Sequence, residues 1–457
     1  MNNKIITVNK ILEICNGELI SGDKNLEINS YSKDSRDINF GDMYLGIKGE
    51  RVNGNDYIEA AFENGAIGCI TDDNINEKIL KKFKNKVIIK VKDTVKALQE
   101  IAKYKRSMYD IPVIAVTGSV GKTSTKDIIA NVMAQKFNVL KTEGNLNNHI
   151  GLPLTLLKLK DHTAVIVEMG MNHFGEISLL TDIAKPTGCV ITNIGTSHIG
   201  NLGSRENILK AKLEILEGLN KNGFALINND NDLLSDWAEK QDNYKIYTYG
   251  IENESDYIAE NIVKLENSSS FIINGIKTEV PVGGTHFIYN ATCAFAIGDL
   301  LGIEKQHIIK GIAEFKLTAK RMDIEVIKDN IKVINDSYNA SYDSMKAALE
   351  VMEKSEASRK IAVLGNMLEL GNYTKELHQK VGEEVIRNKV DVLITVGEFA
   401  EEIANKAKEL GMKEIFKFED IGNATKHIKS FIRSGDLILL KASNSMNFSK
   451  ILEGIKN

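Results

Sequence analysis

Val113-Ile-Ala-Val-Thr-Gly-Ser-Val-Gly-Lys-Thr123 decides the fold. An apolar run that opens into two glycines and then Lys-Thr reads as a strand, a tight loop and the first turn of a helix. Such a loop aims backbone N–H groups at an anion, and the helix dipole adds to the attraction. Thr117, Gly118, Ser119, Val120, Gly121, Lys122, Thr123 and Ser124 form the candidate phosphate cradle. Lys122 has the reach for the terminal phosphates, and the Thr123 hydroxyl is a ligand for Mg²⁺. The general form of this loop carries another glycine five positions before Gly121, where this chain has Val116, so the loop is a shortened variant. The pattern implies binding of a nucleoside triphosphate.

Outward from this loop, strand and helix patterns alternate as in a parallel sheet covered by helices. Strands are predicted at 113–116, 164–167, 189–193, 225–228 and 245–249. Beyond Ile251 the pattern shortens, with a hairpin around Asn274-Gly275, and a helix is predicted over 286–301. A first unit, 1–106, carries strands at 43–47, 66–70 and 87–91 and ends in a charged helix over 94–106. A third unit, 315–457, alternates again, with strands at 333–334, 361–364, 392–395 and 437–440. It has no GxGxxG after its first strand, so a Rossmann-like topology there does not imply a dinucleotide site. The fold class is α/β in three domains: 1–106, 107–314 with the P-loop-type parallel sheet, and 315–457.

A chain of 457 residues is long enough for about three domains. Hydrophobic content of 43% is ample for buried cores. A net charge of -4 and a pI near 6.2 argue against nucleic acid as partner. Lys78-Ile-Leu-Lys-Lys-Phe-Lys84 reads as the solvated face of a surface helix. Cys15, Cys69, Cys189 and Cys293 are scattered, without CxxC pairs or nearby His, so they read as buried free thiols in a reducing cytosol. The stretch Met1-Asn-Asn-Lys-Ile-Ile-Thr-Val8 lacks the apolar core of a signal peptide, and no run approaches membrane-spanning length. The expectation is a cytoplasmic protein without membrane insertion.

Several polar groups fall at strand ends, where open α/β sheets build their sites. Glu168 closes Ala164-Val-Ile-Val-Glu168 and is placed to hold Mg²⁺ against phosphates. Cys189-Val-Ile-Thr-Asn-Ile-Gly-Thr-Ser-His198 delivers His198 to the same edge. In Lys210-Ala-Lys-Leu-Glu-Ile-Leu216 the spacing alone makes both lysines solvent-facing. Asn290, near the start of an apolar helix, reads from local sequence as a cap before it reads as a purine-binding amide. Asn335-Asp-Ser-Tyr-Asn-Ala-Ser-Tyr-Asp-Ser344 packs more polar groups after a strand than a turn requires. Gly365-Asn-Met-Leu-Glu-Leu-Gly371 follows the next strand and lines that edge.

Taken together, residues 117–125, Glu168-Met-Gly170, Thr192-Asn-Ile-Gly-Thr-Ser-His198, Lys212 and Arg321 resemble the Mur ligases of peptidoglycan synthesis. Gly144-Asn-Leu-Asn-Asn-His-Ile-Gly-Leu-Pro153, Asn335-Asp-Ser-Tyr-Asn-Ala-Ser341, Gly365–Gly371 and Glu376-Leu-His378 resemble the branch whose acceptor is a dipeptide. Lys33-Asp-Ser-Arg36, Gly41-Asp-Met-Tyr-Leu-Gly46 and Ile58-Glu-Ala-Ala-Phe-Glu-Asn-Gly-Ala66 resemble that branch's uridine-nucleotide domain. The likeness runs colinearly along essentially the whole chain. It implies an N-terminal substrate domain, a central ATPase domain and a mobile C-terminal Rossmann-like domain. It implies the substrates UDP-N-acetylmuramoyl-tripeptide and D-alanyl-D-alanine, joined through an acyl phosphate, with ATP and Mg²⁺; a monomer is a separate expectation. By resemblance Lys122 holds the γ-phosphate, Thr123 and Glu168 the first Mg²⁺, and His198 a second. Lys212 matches a lysine that relatives carbamylate. Asn290 reads adenine, Asp336 binds ribose, and Arg321 approaches the phosphates on closure. Asp34, Ser35 and Arg36 contact the uridine diphosphate sugar, and Asn145, Asn147, Tyr338 and Asn339 the other substrate groups.

The chain departs from the family pattern at Lys441-Ala-Ser-Asn444, at Asn55, where a His is usual, and at Phe287 and Ser341-Tyr342. These departures bear on the substrate pockets and leave the ATPase motifs untouched. Two rival readings remain: a related ligase that adds a different amino acid, and a regulatory protein that binds ATP without ligating anything. The Asn145–Asn148 cluster and Asn335–Ser341 favour the dipeptide-adding type. The pairing of Glu168 with His198 speaks against a dead site.

Overall fold

Continuous apolar runs in this chain become strands buried on both faces, as parallel strands under helical layers must be. The structure, a computed structural model, describes residues 4–265, 267–317, 320–327 and 330–456. These residues gather into two compact units. One comprises residues 1–116, 137–190 and 213–224; the other comprises 117–136, 191–212 and 225–457.

The first unit holds a five-stranded sheet in the order Glu18–Ser21, Val87–Lys90, Gly68–Thr71, Asp42–Leu45 and Ser30–Ser32. Its outermost pair, Glu18–Ser21 with Val87–Lys90, is antiparallel, and the remaining neighbours are parallel. The same unit carries the neighbouring strands Val113–Thr117, Ala164–Glu168 and Val139–Lys141, paired in parallel. Val113, Ile114, Ala115 and Val116 are all fully buried. Register sets Glu168 opposite Val116, the residue before the loop begins. The charged segment 94–106 forms the helix Thr94–Ser107, capped by the Asp93 carboxylate on Val95 and Lys96 N–H. It packs against the helices Gly151–Leu157 and Glu176–Ala184. The lysine-rich helix Glu77–Lys82 buries none of its residues, as its charge pattern predicts.

In the second unit the helix Lys122–Ala134 packs against Thr285–Leu300 and Lys305–Ala313. Strands Lys245–Gly250, Tyr257–Lys264, Ser269–Ile273 and Ile276–Val280 are successive neighbours; the first pair is parallel, the others antiparallel. Asn274 and Gly275 make the tight turn between the last two, with φ of 48° and 80°, both positive as such a turn requires. A six-stranded sheet follows in the order Asp323–Ile327, Ile331–Asn335, Asp436–Lys441, Arg359–Gly365, Val392–Val396 and Ile415–Phe418. Only its first pair is antiparallel. Val333, Ile361, Val363, Ile394, Ile438 and Leu440 form the core of one of its faces. The carboxyl ends of its inner strands present Asn335, Gly365 and Lys441, which opens the crevice where such sheets bind ligands.

Three of the four free cysteines are buried, and Cys15 is half-buried. Burial pushes the Cys15 thiol up to about 12. Among the described residues no helix is long and apolar enough to cross a membrane.

Candidate active site

The loop after Val113–Thr117 is shaped by its two glycines. A Cβ at Gly118 would overlap the Thr192 hydroxyl. Gly121 takes φ 81° at the N-cap of the helix Lys122–Ala134, and a Cβ there would meet Asn290 Oδ1 at 3.4 Å. The loop N–H groups, expected to face an anion, are partly engaged from within the protein. Ser119 and Val120 N–H both donate to Asn193 Oδ1, at 3.2 and 3.0 Å. Buried N–H groups must be paired, and this amide oxygen supplies two bonds at the place expected for a phosphate oxygen. The Asn193 amide and the Thr192 hydroxyl donate in return to Val120 O at 3.1 and 2.8 Å. Thr117 accepts from Thr192 N–H at 2.9 Å. Sequence reasoning passed over Asn193 as a functional residue; the signal was its place at the end of the strand Gly188–Ile191.

Two ammonium groups converge on one carbonyl. Lys122 Nζ donates to Gly118 O at 2.8 Å, and Lys212 Nζ donates to the same oxygen at 2.9 Å. Lys212 is 1% exposed, which overturns the solvent-facing reading of its helix. Its neighbour in that reading, Lys210, is exposed. Burial, reinforced by the charge of Lys122, pushes the Lys212 ammonium well below its usual value. Thr123 is buried in the first helical turn, with Ser124 half-buried beside it.

The cap reading of Asn290 is corrected as well. The helix Thr285–Leu300 has Gly284 at its N-cap, and Asn290 lies buried within it. Asn290 Oδ1 accepts from Thr125 Oγ1 at 2.9 Å, which fixes the amide and leaves Nδ2 as the group to face a ligand. That nitrogen is buried without a hydrogen-bond partner among the described residues. An orphaned donor beside the P-loop is the observation that favours a purine-reading role.

His198 sits in the left-handed region, φ 64°, at the start of the short helix Ile199–Leu202. Its Nδ1 lies 2.7 Å from Glu369 Oε2, within ion-pair distance but outside hydrogen-bond angles. Around it, Gly195 N–H donates to Ser119 Oγ and Ser197 Oγ to Ser119 O. Thr196 donates from both N–H and hydroxyl to Asp343 Oδ2 at 2.8 Å.

At the edge of the six-stranded sheet, Asp336 forms an ion pair with buried Lys441 and accepts from Met322 N–H. Lys441 also donates to Asn339 O at 3.1 Å, and Asn444 Nδ2 to Tyr338 O at 2.9 Å. The Arg321 guanidinium stacks 3.8 Å over the Tyr338 ring. Asn339, Ser341, Ser443 and Asn444 line a cavity of about 230 Å³ together with His198 and Glu369. The departures from the family pattern fit locally. Phe287 packs between His286 and Phe315, Ser341 caps the helix Tyr342–Lys354, and the Tyr342 hydroxyl reaches Glu384 at 3.2 Å.

The remaining candidates lie in the first unit. Glu168 is buried and accepts from Asn147 Nδ2 at 2.8 Å, so Asn147 serves that carboxylate, while Asn145 is exposed. Asp34 and Arg36 bind each other at 2.7 and 2.9 Å on an exposed loop, and Arg36 holds the Asp34 carboxyl down at about 2. Ser35 is buried, its carbonyl accepting from Asn64 Nδ2. Asn55 accepts from the Thr71 hydroxyl and donates to Asp72. Among the described residues no three His, Cys, Asp or Glu side chains gather into a metal cluster.

A glycine loop holding two lysines, followed by an α/β sheet with a polar carboxyl edge, defines a P-loop α/β protein built for a phosphorylated ligand. Residues 27–106, 116–298 and 320–444 match, in turn, the Mur ligase family catalytic domain, the Mur ligase middle domain and the Mur ligase glutamate ligase domain. The chain belongs to the Mur ligase family. It is 36% identical to the UDP-N-acetylmuramoyl-tripeptide–D-alanyl-D-alanine ligase of Bacillus subtilis over 98% of both chains. It is 30% identical to the Escherichia coli ligase of the same name, over 99% of this chain and 98% of that one. Among solved structures, MurF from Acinetobacter baumannii superposes with a TM-score of 0.89 at 28% identity, each chain fully covered. MurF ligase from Thermotoga maritima in complex with ADP gives 0.81 at 28% identity, over 94% of this chain and 97% of that one.

Proposed function

We propose that this chain uses ATP to join D-alanyl-D-alanine to UDP-N-acetylmuramoyl-tripeptide. The observation that carries the reading is the end-to-end likeness to relatives bearing that activity in their names, at 36% identity over 98% of both chains. The chemistry follows from the poor electrophilicity of a carboxylate. The peptide carboxylate oxygen takes the γ-phosphoryl group and ADP leaves. The dipeptide amine, having lost a proton, attacks the acyl carbon, and phosphate departs as the amide forms. Developing charge on the transferred group must be met by fixed cations.

Lys122 leaves Gly118 O to meet the γ-phosphate, and the Ser119 and Val120 N–H groups leave Asn193 for phosphate oxygens. Asn290 donates Nδ2 to the adenine edge, Asp336 takes the ribose, and Arg321 approaches the phosphates. Thr123 and Glu168 offer hard oxygen donors that suit Mg²⁺, which takes one or two protein groups plus phosphates rather than a protein cage; His198 serves a second ion. When bound, Mg²⁺ neutralises phosphate charge and polarises the phosphoryl oxygen. Lys212, buried with a depressed pKa, is a nucleophilic amine suited to carbamylation. Asp34, Ser35 and Arg36 bind the uridine nucleotide, and Asn145 and Asn147 support the peptide side. The cavity bounded by Asn339, Ser341 and Asn444 receives the dipeptide, and Tyr338, next to Asn339 in the chain, contacts the same substrate. The working units are 1–106, 107–314 and 315–457, in a monomeric cytoplasmic enzyme.

The test is an incubation of purified protein with ATP, Mg²⁺, each nucleotide tripeptide and D-alanyl-D-alanine, followed by product mass. The expected result is ADP, phosphate and pentapeptide in equal amounts, with turnover abolished in Lys122→Ala. Phosphate release without an acceptor, or preference for a single amino acid, would contradict the proposal.

A further inference from the structure

Glu369 carries no assigned role, yet it occupies a built position. Residues 366–371 follow the strand Arg359–Gly365 and are pinned from two sides. Met367 N–H donates to His378 Nε2 at 3.0 Å, and Leu368 N–H to Ser443 Oγ at 2.9 Å. Leu370 is buried beyond them. The Glu369 backbone then docks on the His198 segment, because its carbonyl accepts from Gly200 N–H at 3.0 Å. Only glycine permits this approach: a Cβ at 200 would lie 2.5 Å from Gly371 N and 2.6 Å from Glu369 O. Glu369 and His198 are both non-glycine residues in the left-handed region, at φ 63° and 64°. Strained residues of this kind persist where surrounding structure holds them, and they cluster at functional sites. Their side chains meet at 2.7 Å, Oε2 to Nδ1, in ion-pair contact though not at hydrogen-bond angles.

We propose that Glu369 is a positioning residue for His198: its carboxylate takes the Nδ1 side of the imidazole and leaves Nε2 to a divalent cation on the bound nucleotide. Carboxylate–histidine–metal arrangements fix the ring tautomer and orientation in this way, and their loss weakens metal binding about 10–100-fold. The His198 backbone already leans on Glu369 through Gly200. Seating of residues 366–371 and cation affinity are therefore linked, and the cation is held best when the acceptor side of the site is in place. This inference rests on the reading of His198 as a cation ligand.

The test titrates Mn²⁺ into the full-length protein saturated with a non-hydrolysable ATP analogue, read by electron paramagnetic resonance. Glu369→Gly deletes the carboxylate and tolerates φ 63°, so the fold is kept; Glu369→Gln keeps an acceptor oxygen. The expected result is a loss of Mn²⁺ affinity of about tenfold or more in Glu369→Gly, largely rescued in Glu369→Gln. Affinity for the analogue without metal is unchanged in both. Unaltered Mn²⁺ affinity in Glu369→Gly, or equal losses in the two variants, would overturn the role. His198→Ala separates the two readings. If it leaves Mn²⁺ binding intact, the ligand reading falls; if it weakens binding while Glu369→Gly does not, the positioning role alone falls.

Discussion

Lys212 and His378 show what single buried polar groups do here. A buried amine that donates to the Gly118 carbonyl costs desolvation and contributes little to folding. Its value lies in the site. Lys212→Met, of similar volume, is expected to fold with a stability change of less than about 1.5 kcal/mol. It should lose turnover by about 10²-fold or more; chemical denaturation and steady-state rates check both halves. His378 is fully buried and uses both ring nitrogens: Nε2 accepts from Met367 N–H, and Nδ1 donates to Thr374 O at 2.6 Å. That geometry requires the neutral ring, and burial lowers its pKa below the usual 6.5. A depressed folded-state pKa contributes stability that is complete above pH 6.5. The contribution is lost as pH falls from there through the folded value, where the unfolded chain takes up the proton more readily. The unfolding midpoint should drop across that window, and His378→Gln should flatten the drop. An unchanged slope in the variant would contradict this account.

Turns and docking segments carry the next level of argument. Gly275 at φ 80° meets no atom that an added Cβ would touch. Gly275→Ala therefore measures left-handed backbone strain alone, an expected loss of about 1–2 kcal/mol by denaturant titration. At Gly200 the penalty is steric, and Gly200→Ala should undock residues 366–371. Hydrogen exchange at the position-200 amide and at Met367 N–H should be faster in that variant than in the parent protein, while the core strands stay protected. Periodicity located the elements well, because a strand buried on both faces must be apolar at every position. The runs at 113–116, 164–167 and 437–440 are each recovered within a residue or two. The Asn-Gly dipeptide placed the hairpin for an equally local reason. Candidate site residues were legible where they lay on one loop or at the end of one strand. Lys212 reads as a surface lysine because spacing along a helix does not report a carbonyl 94 positions away. Asn290 reads as a cap because its partner, Thr125, lies 165 positions off. The Glu369–His198 contact is long-range too: the strand-edge position of His198 marked it as a candidate, but nothing local pointed to Glu369 as its partner.

In the whole molecule, the segments proposed to hold nucleotide are paired internally: Asn193 on the loop N–H groups, Gly118 O on two lysines. Binding exchanges these bonds for phosphate contacts, so saturating ATP analogue with Mg²⁺ should stabilise the native state. At a hundredfold excess over Kd the gain is about 2.7 kcal/mol, read as a rise in thermal midpoint. Lys122→Ala should lose most of that rise, and a full rise in the variant would contradict the role given to Lys122. The central claim is that ATP activates the peptide carboxylate as an acyl phosphate. Its most direct measurement uses nucleotide tripeptide labelled with ¹⁸O in the carboxylate that becomes the amide, with D-alanyl-D-alanine as acceptor. The account predicts one ¹⁸O in each phosphate released, the other in the carbonyl of the new amide, and none in ADP. Label retained in a nucleotide monophosphate, or unlabelled phosphate formed alongside amide, would contradict it.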